Sequence, residues 1–133
     1  MTGNVYRSFI IVFISQCLLL SVVGCTLFES DEDKAERFYN LGMKALEQKK
    51  PDEALLQFKN ATNKKSFYPK AHFELGALYF HEGRPQFAAL ELNTALLQDP
   101  EFTKARKMLA RVYFEYGAYD LAIPLAEELI EEK

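Results

Sequence analysis

The stretch AERFYNLGMKAL at residues 35–46 is echoed by PKAHFELGALYF at 69–80 and TKARKMLARVYF at 103–114, each copy starting 34 residues after the last. Leu41, Leu75 and Leu109 fall in register, as do Gly42, Gly76 and Ala110. In the second half of each unit Ala54, Ala88 and Ala122 also align. A fixed period of this size marks a stack of supersecondary units, each unable to bury its apolar face alone. No strand-like alternation runs through the units and breakers are few, so they read as helices joined by tight turns.

Three copies in register resemble the tetratricopeptide repeat, over residues 35–68, 69–102 and 103–133. The resemblance implies an all-α solenoid of three helical hairpins, about six helices. Small residues at the Gly and Ala positions then let paired helices cross closely. Phe38, Leu41, Phe58, Leu75, Tyr79, Leu109 and Tyr113 are expected to fill the space beside the crossings. Turns fall at QKKPDE, HEGRPQ and EYGAYD, where Gly83 and Gly117 can take the left-handed conformation. Pro69 and Pro100 are expected at helix starts, where a missing N–H costs little. Pro124 is expected in or beside the first turn of a last helix starting near Tyr119, with a mild kink at most. The third unit is the least regular: Arg106 stands in register with Phe38 and His72, and Ala126 with Phe58 and Leu92. The final LAEELIEEK lacks the polar outer face that usually ends a solenoid. Leu121, Leu125, Leu129 and Ile130 are therefore expected to be partly uncovered, a surface for a second copy or a partner.

The N-terminal chemistry is different. Residues 1–24 carry one charge, Arg7, whereas all 19 acidic residues lie at Glu29 or beyond. A charged start, an apolar run over residues 9–23 and then small residues is the layout of a secretory signal. The run is shorter than the roughly 20 apolar residues of a spanning helix and contains Ser15 and Gln16. An uncleaved signal anchor is the alternative. Its end, SVVGC at residues 21–25, resembles the bacterial lipoprotein box, which implies cleavage before Cys25 and lipid attachment to its thiol. Cys17 follows Gln16, which the box does not allow, and is expected to leave with residues 1–24. The mature chain then has no free thiol and no disulfide. Thr26, in place of the Asp that retains lipoproteins at the inner membrane, implies the outer membrane facing the periplasm. Residues 25–34 read as the lipidated cysteine plus an acidic tether, with Asp31, Glu32 and Asp33 favouring a helix just after them.

By the resemblance, the first helices of successive units line a concave groove. Tyr39, Met43 and Leu46 fall there, then Lys70, Phe73, Ala77, Phe80 and His81, then Lys104, Lys107, Arg111, Phe114 and Glu115. Apolar and aromatic at one end and basic at the other, the groove suits an amphipathic helix or an extended segment with an acidic end. The alternative is that Phe73, Phe80 and Phe114 pack between helices and the basic residues are a solvated face. The carboxylate clamp by which some relatives capture chaperone C-termini needs Lys and Asn where Tyr39 and Met43 stand. It needs Asn at Glu74 and Arg at Met108, so only Lys104 matches.

Catalysis finds little support. His72 and His81 lie nine residues apart, which is no metal-ligand spacing. Ser30 and Ser66 have no recognisable partner, and no glycine-rich phosphate loop exists. A net charge of −3 argues against nucleic-acid binding. No cofactor and no metal are expected. The sequence therefore suggests a lipid-anchored adaptor or assembly factor of the bacterial envelope, pilotin-like or of a related assembly type, with an envelope protein as partner. A self-associating scaffold using the last helix is the alternative.

Overall fold

The computed structural model describes residues 29–131; the signal segment and Cys25 lie outside the described residues. Six helices follow one another: α1 (Asp31–Glu47), α2 (Pro51–Lys64), α3 (Pro69–His81), α4 (Pro85–Gln98), α5 (Thr103–Glu115) and α6 (Tyr119–Glu131). They form three hairpins, α1/α2, α3/α4 and α5/α6, as the 34-residue register requires. No strand occurs among the described residues.

Each hairpin closes with the same backbone device. Lys50 N–H reaches the Ala45 carbonyl at 2.9 Å, Arg84 that of Tyr79 at 2.9 Å, and Ala118 that of Tyr113 at 2.8 Å. The residue before each donates to the carbonyl three positions back, which completes a Schellman motif. The shared left-handed position is Gly83 at φ 70° and Gly117 at φ 77°, but in the first hairpin it is Lys49 at φ 59°. Sequence reading found the two glycines and missed the lysine.

The prolines sit partly elsewhere than expected. Pro51, Pro69 and Pro85 each open a helix, where the absent N–H needs no partner. Pro100 instead lies in the turn before α5, which Phe102 N–H closes on the Asp99 carbonyl at 3.1 Å. Pro124 is the sixth residue of α6, beyond the first turn, so it removes the bond that Asp120 would have accepted. The acids Asp31, Glu32 and Asp33 do not precede α1 but form its first turn, where they complement the helix dipole.

The crossings explain the small residues. A Cβ on Gly42 would stand 2.6 Å from the Phe58 ring, and one on Gly76 would stand 2.6 Å from Leu92 Cγ. Phe58 and Leu92 are fully buried. In the third hairpin Ala110 and Ala126 occupy the two positions, so bulk is lost on one side as a methyl is added on the other. Leu75 and Leu109 are buried, whereas Leu41 is 43% exposed, contrary to its expected core place. In α1 no earlier hairpin among the described residues covers that position. A second cluster, Ala35, Ala61, Tyr68 and Ala71, holds the start of α3 against α1 and α2.

Arg106 joins the last hairpin: its guanidinium is 3.4 Å from Glu128 and donates to the Pro100 carbonyl. His72, in register with it, donates Nδ1–H from α3 to the Glu91 carboxylate of α4 at 2.7 Å, and its other ring nitrogen lies 3.3 Å from the Ser66 carbonyl. Burial pushes the His72 imidazole down, but the Glu91 bond, the Ser66 carbonyl and the Glu91 charge outweigh it and raise its pKa above 6.5.

Candidate functional site

The residues expected on the groove share one register of α1, α3 and α5, but the structure treats them differently. Tyr39 is half-buried, its ring 5.6 Å from Phe58 and 5.4 Å from Tyr68. One unit later Phe73 repeats the arrangement, 5.2 Å from Phe102. Tyr68 and Phe102, each just before a first helix, are thus aromatic walls that the sequence reading overlooked. Their shared 34-residue spacing was the available signal. Tyr68 also donates its hydroxyl to Glu36, and burial, that hydrogen bond and the Glu36 charge push its pKa upward.

Met43, Leu46 and Met108 pack against the core as partly buried side chains. Phe80 is a correction: it is 8% exposed and belongs to the core. Arg111 covers its ring at 5.1 Å and Tyr116 meets it edge-on at 6.3 Å, so it supports the groove from beneath. Phe114, one unit on, is 63% exposed and stacks edge-on with Tyr119 at 5.5 Å. Ala77 is half-buried, and His81 and Glu115 are exposed.

The basic end is open. Lys70, Lys104, Lys107 and Arg111 are all exposed. Arg111 donates Nε–H to Glu115 at 2.6 Å, a pair one helical turn apart and worth little in solvent. Glu74 changes the middle of the site. Burial raises its pKa while the positive charge of Lys104 partly opposes this, and its own charge, after burial, helps to raise Tyr39. Glu74 on α3 therefore stands between Tyr39 of α1 and Lys104 of α5. Among the described residues no three His, Cys, Asp or Glu side chains gather as a metal site. None of their helices is long and apolar enough to cross a membrane.

The sequence profile of the tetratricopeptide repeat matches residues 39–97 and 88–133. The chain belongs to the tetratricopeptide repeat family. Such repeats are in general non-enzymatic modules of protein–protein interaction. Over 90 residues it is 30% identical to protein O-mannosyl-transferase Tmtc3 of Drosophila melanogaster, a match covering 68% of this chain and 10% of that one. The MamA structure from Desulfovibrio magneticus RS-1 is 24% identical with a TM-score of 0.71, over 75% of this chain and 56% of that one. The first repeat domain of Spaghetti (RPAP3), solved bound to the HSP90 peptide SRMEEVD, is 22% identical with a TM-score of 0.69. That match covers 75% of this chain and 81% of Spaghetti's. The chain spans a tenth of the curated relative and a little over half of the MamA structure.

Proposed function

We propose that this tetratricopeptide repeat protein is a membrane-tethered adaptor that holds a partner's segment against the faces of α1, α3 and α5. The observation that carries the reading is the row of exposed cations, Lys104, Lys107 and Arg111, next to the half-buried Phe73 and the exposed Phe114. Apolar side chains of the segment rest on the aromatic rings, and an acidic stretch pairs with the cations. Spaghetti's grip on SRMEEVD lends support to segment binding as a mode for this fold. The clamp chemistry is not carried over, because Tyr39, Met43, Glu74 and Met108 stand at its positions.

The tether is lipid on Cys25, read from SVVGC, and the site of action is the bacterial envelope, on the periplasmic side of the outer membrane. There the protein serves as an assembly factor. Two or three acyl chains hold a protein firmly, whereas one holds it marginally. The test has two arms. A photo-reactive residue at Phe114 in the full chain is expected to capture one dominant envelope protein, and Lys107→Glu with Arg111→Glu is expected to abolish the adduct. An adduct that survives both charge reversals refutes the groove. In the second arm, Cys25→Ser is expected to release the protein from the membrane fraction and to stop fatty-acid labelling. Unchanged attachment refutes the anchor.

A further inference from the structure

Helix α4, PQFAALELNTALLQ, carries large apolar residues on its outward side as well as on its buried one. Only one side is covered here. Ala88, Leu92 and Ala95 are fully buried, while Phe87 is 47%, Leu90 61% and Leu97 84% exposed. The spacing of 87, 90, 94 and 97 puts these three and the small Thr94 on one stripe. Glu91 is the single charged residue of the helix, and His72 already engages it. Beside the N-terminal half of the stripe lies an apolar recess of about 300 Å³, lined by Pro85, Gln86 and Ala89 of α4, Val112 and Tyr113 of α5 and Tyr116 just after it.

We propose that this face binds a second copy of the chain, α4 against α4 and antiparallel. Phe87 and Leu97 are about 15 Å apart along the helix at 1.5 Å per residue. A two-fold axis near Leu92 therefore sets Leu97 of one copy opposite Phe87 and the recess of the other, twice over. Such a contact is isologous and closed. Charge agrees with it. Arg84 precedes α4, stacks 4.3 Å from the Phe87 ring and reaches Glu82 at 3.3 Å, a partner it exchanges in the dimer, while Asp99 and Glu101 follow the helix at its other end. The same axis brings Arg84 of each copy to Asp99 and Glu101 of the other, opposite charges at both rims.

The charge pattern also selects this face over its rivals. The last helix exposes Leu121, Ile123 and Ile130, but it carries Asp120, Glu127, Glu128 and Glu131 with no base, so a two-fold contact there opposes like charges. An anionic lipid surface needs Lys or Arg along the apolar stripe, and α4 has neither. Self-association is thus assigned to α4 and not to the C-terminal helix.

A photo-reactive residue at Leu97 in the full chain, irradiated in cells and mapped by mass spectrometry, tests this. The expected product is a covalent homodimer whose cross-link falls within residues 85–89 of the other copy. Leu90→Glu is expected to lower its yield at least about tenfold, because the contact would bury an unpaired charge. Far-UV circular dichroism of that variant should match the parent, as Leu90 points to solvent in the single chain. Arg84→Glu is expected to weaken the cross-link and Arg84→Glu with Glu101→Arg to restore it, which keeps the test decisive should Leu90→Glu misfold. Adducts only within the same chain, only to other proteins, or to α6 of the copy overturn the proposal. So does a homodimer that survives Leu90→Glu.

Discussion

Gly76→Ala adds one methyl at the crossing of α3 and α4, and its sign depends on what that methyl meets. In isolation the change favours a helix by about 1 kcal/mol, since glycine is the poorest former after proline. Here the new Cβ would stand 2.6 Å from Leu92 Cγ, 3.0 Å from its Cδ2 and 3.2 Å from the Ala88 carbonyl oxygen. Leu92 is fully buried, so it cannot swing out to solvent to make room. Overpacking of this kind costs about 1–3 kcal/mol, so set against the helix gain a net loss of up to about 2 kcal/mol is expected. Leu92→Ala alone should cost about 2–5 kcal/mol. With that side chain gone, Gly76→Ala should become neutral or stabilising by up to about 1 kcal/mol, as in the Ala110/Ala126 crossing of the third hairpin. A double-mutant cycle measured by urea unfolding, followed by circular dichroism, reads the coupling directly. An equal loss from Gly76→Ala in both backgrounds would locate the conflict at the Ala88 backbone and refute side-chain complementarity as the reason for glycine.

Lys49→Gly should stabilise the first hairpin by up to about 1 kcal/mol, because Lys49 holds a left-handed φ of 59° that glycine adopts freely, and a rise in urea midpoint checks it. Stability should fall as pH rises through the neutral range on account of His72: its folded pKa lies above 6.5, so its contribution is complete below 6.5 and is lost as pH climbs through the folded value. His72→Gln should flatten that slope, and an unchanged pH profile of unfolding would show that the Glu91 contact contributes nothing.

Much of the fold was legible because the repeat imposes one register on three units and each unit confirms the others. Leu75 is buried because α3 has a hairpin on either side, and the aligned Leu41 is exposed because, among the described residues, α1 has a neighbouring hairpin on one side only. A register identifies equivalent positions but not their neighbours, and the end units have fewer. Lys49 escaped notice for a related reason: a left-handed residue is read from glycine, whereas here the Schellman bonds of the first turn hold a lysine in that conformation. Phe80 was placed on the groove by register and is roofed over by Arg111 and Tyr116, a contact of local packing that spacing does not encode. The uncovered stripe of α4 is likewise beyond a register: only the accessible areas of Phe87, Leu90 and Leu97 show that these large apolar side chains face outward.

The chemistry of the proposed binding face follows from one substitution in register more than from its aromatic rings. Where relatives that clamp a terminal carboxylate present an amide, α3 presents Glu74, half-buried and with its ionised form disfavoured by burial. A carboxylate brought to Lys104 would also approach Glu74, and wherever Glu74 is ionised the two like charges repel. Lys107 and Arg111 lie one and two turns further along α5 and are exposed. Acidic groups of a ligand are therefore displaced along α5 away from the centre, toward the exposed Phe114. The segment that fits carries its acids at one end and apolar or donor side chains over Glu74, Phe73 and Tyr39. On the proposed reading a chain terminus is not required, because Tyr39, Met43, Glu74 and Met108 stand where a clamp would aim its donors at a single carboxylate. Internal segments of a partner satisfy it as well, and an adaptor that reads internal segments can engage a protein whose ends are already committed elsewhere.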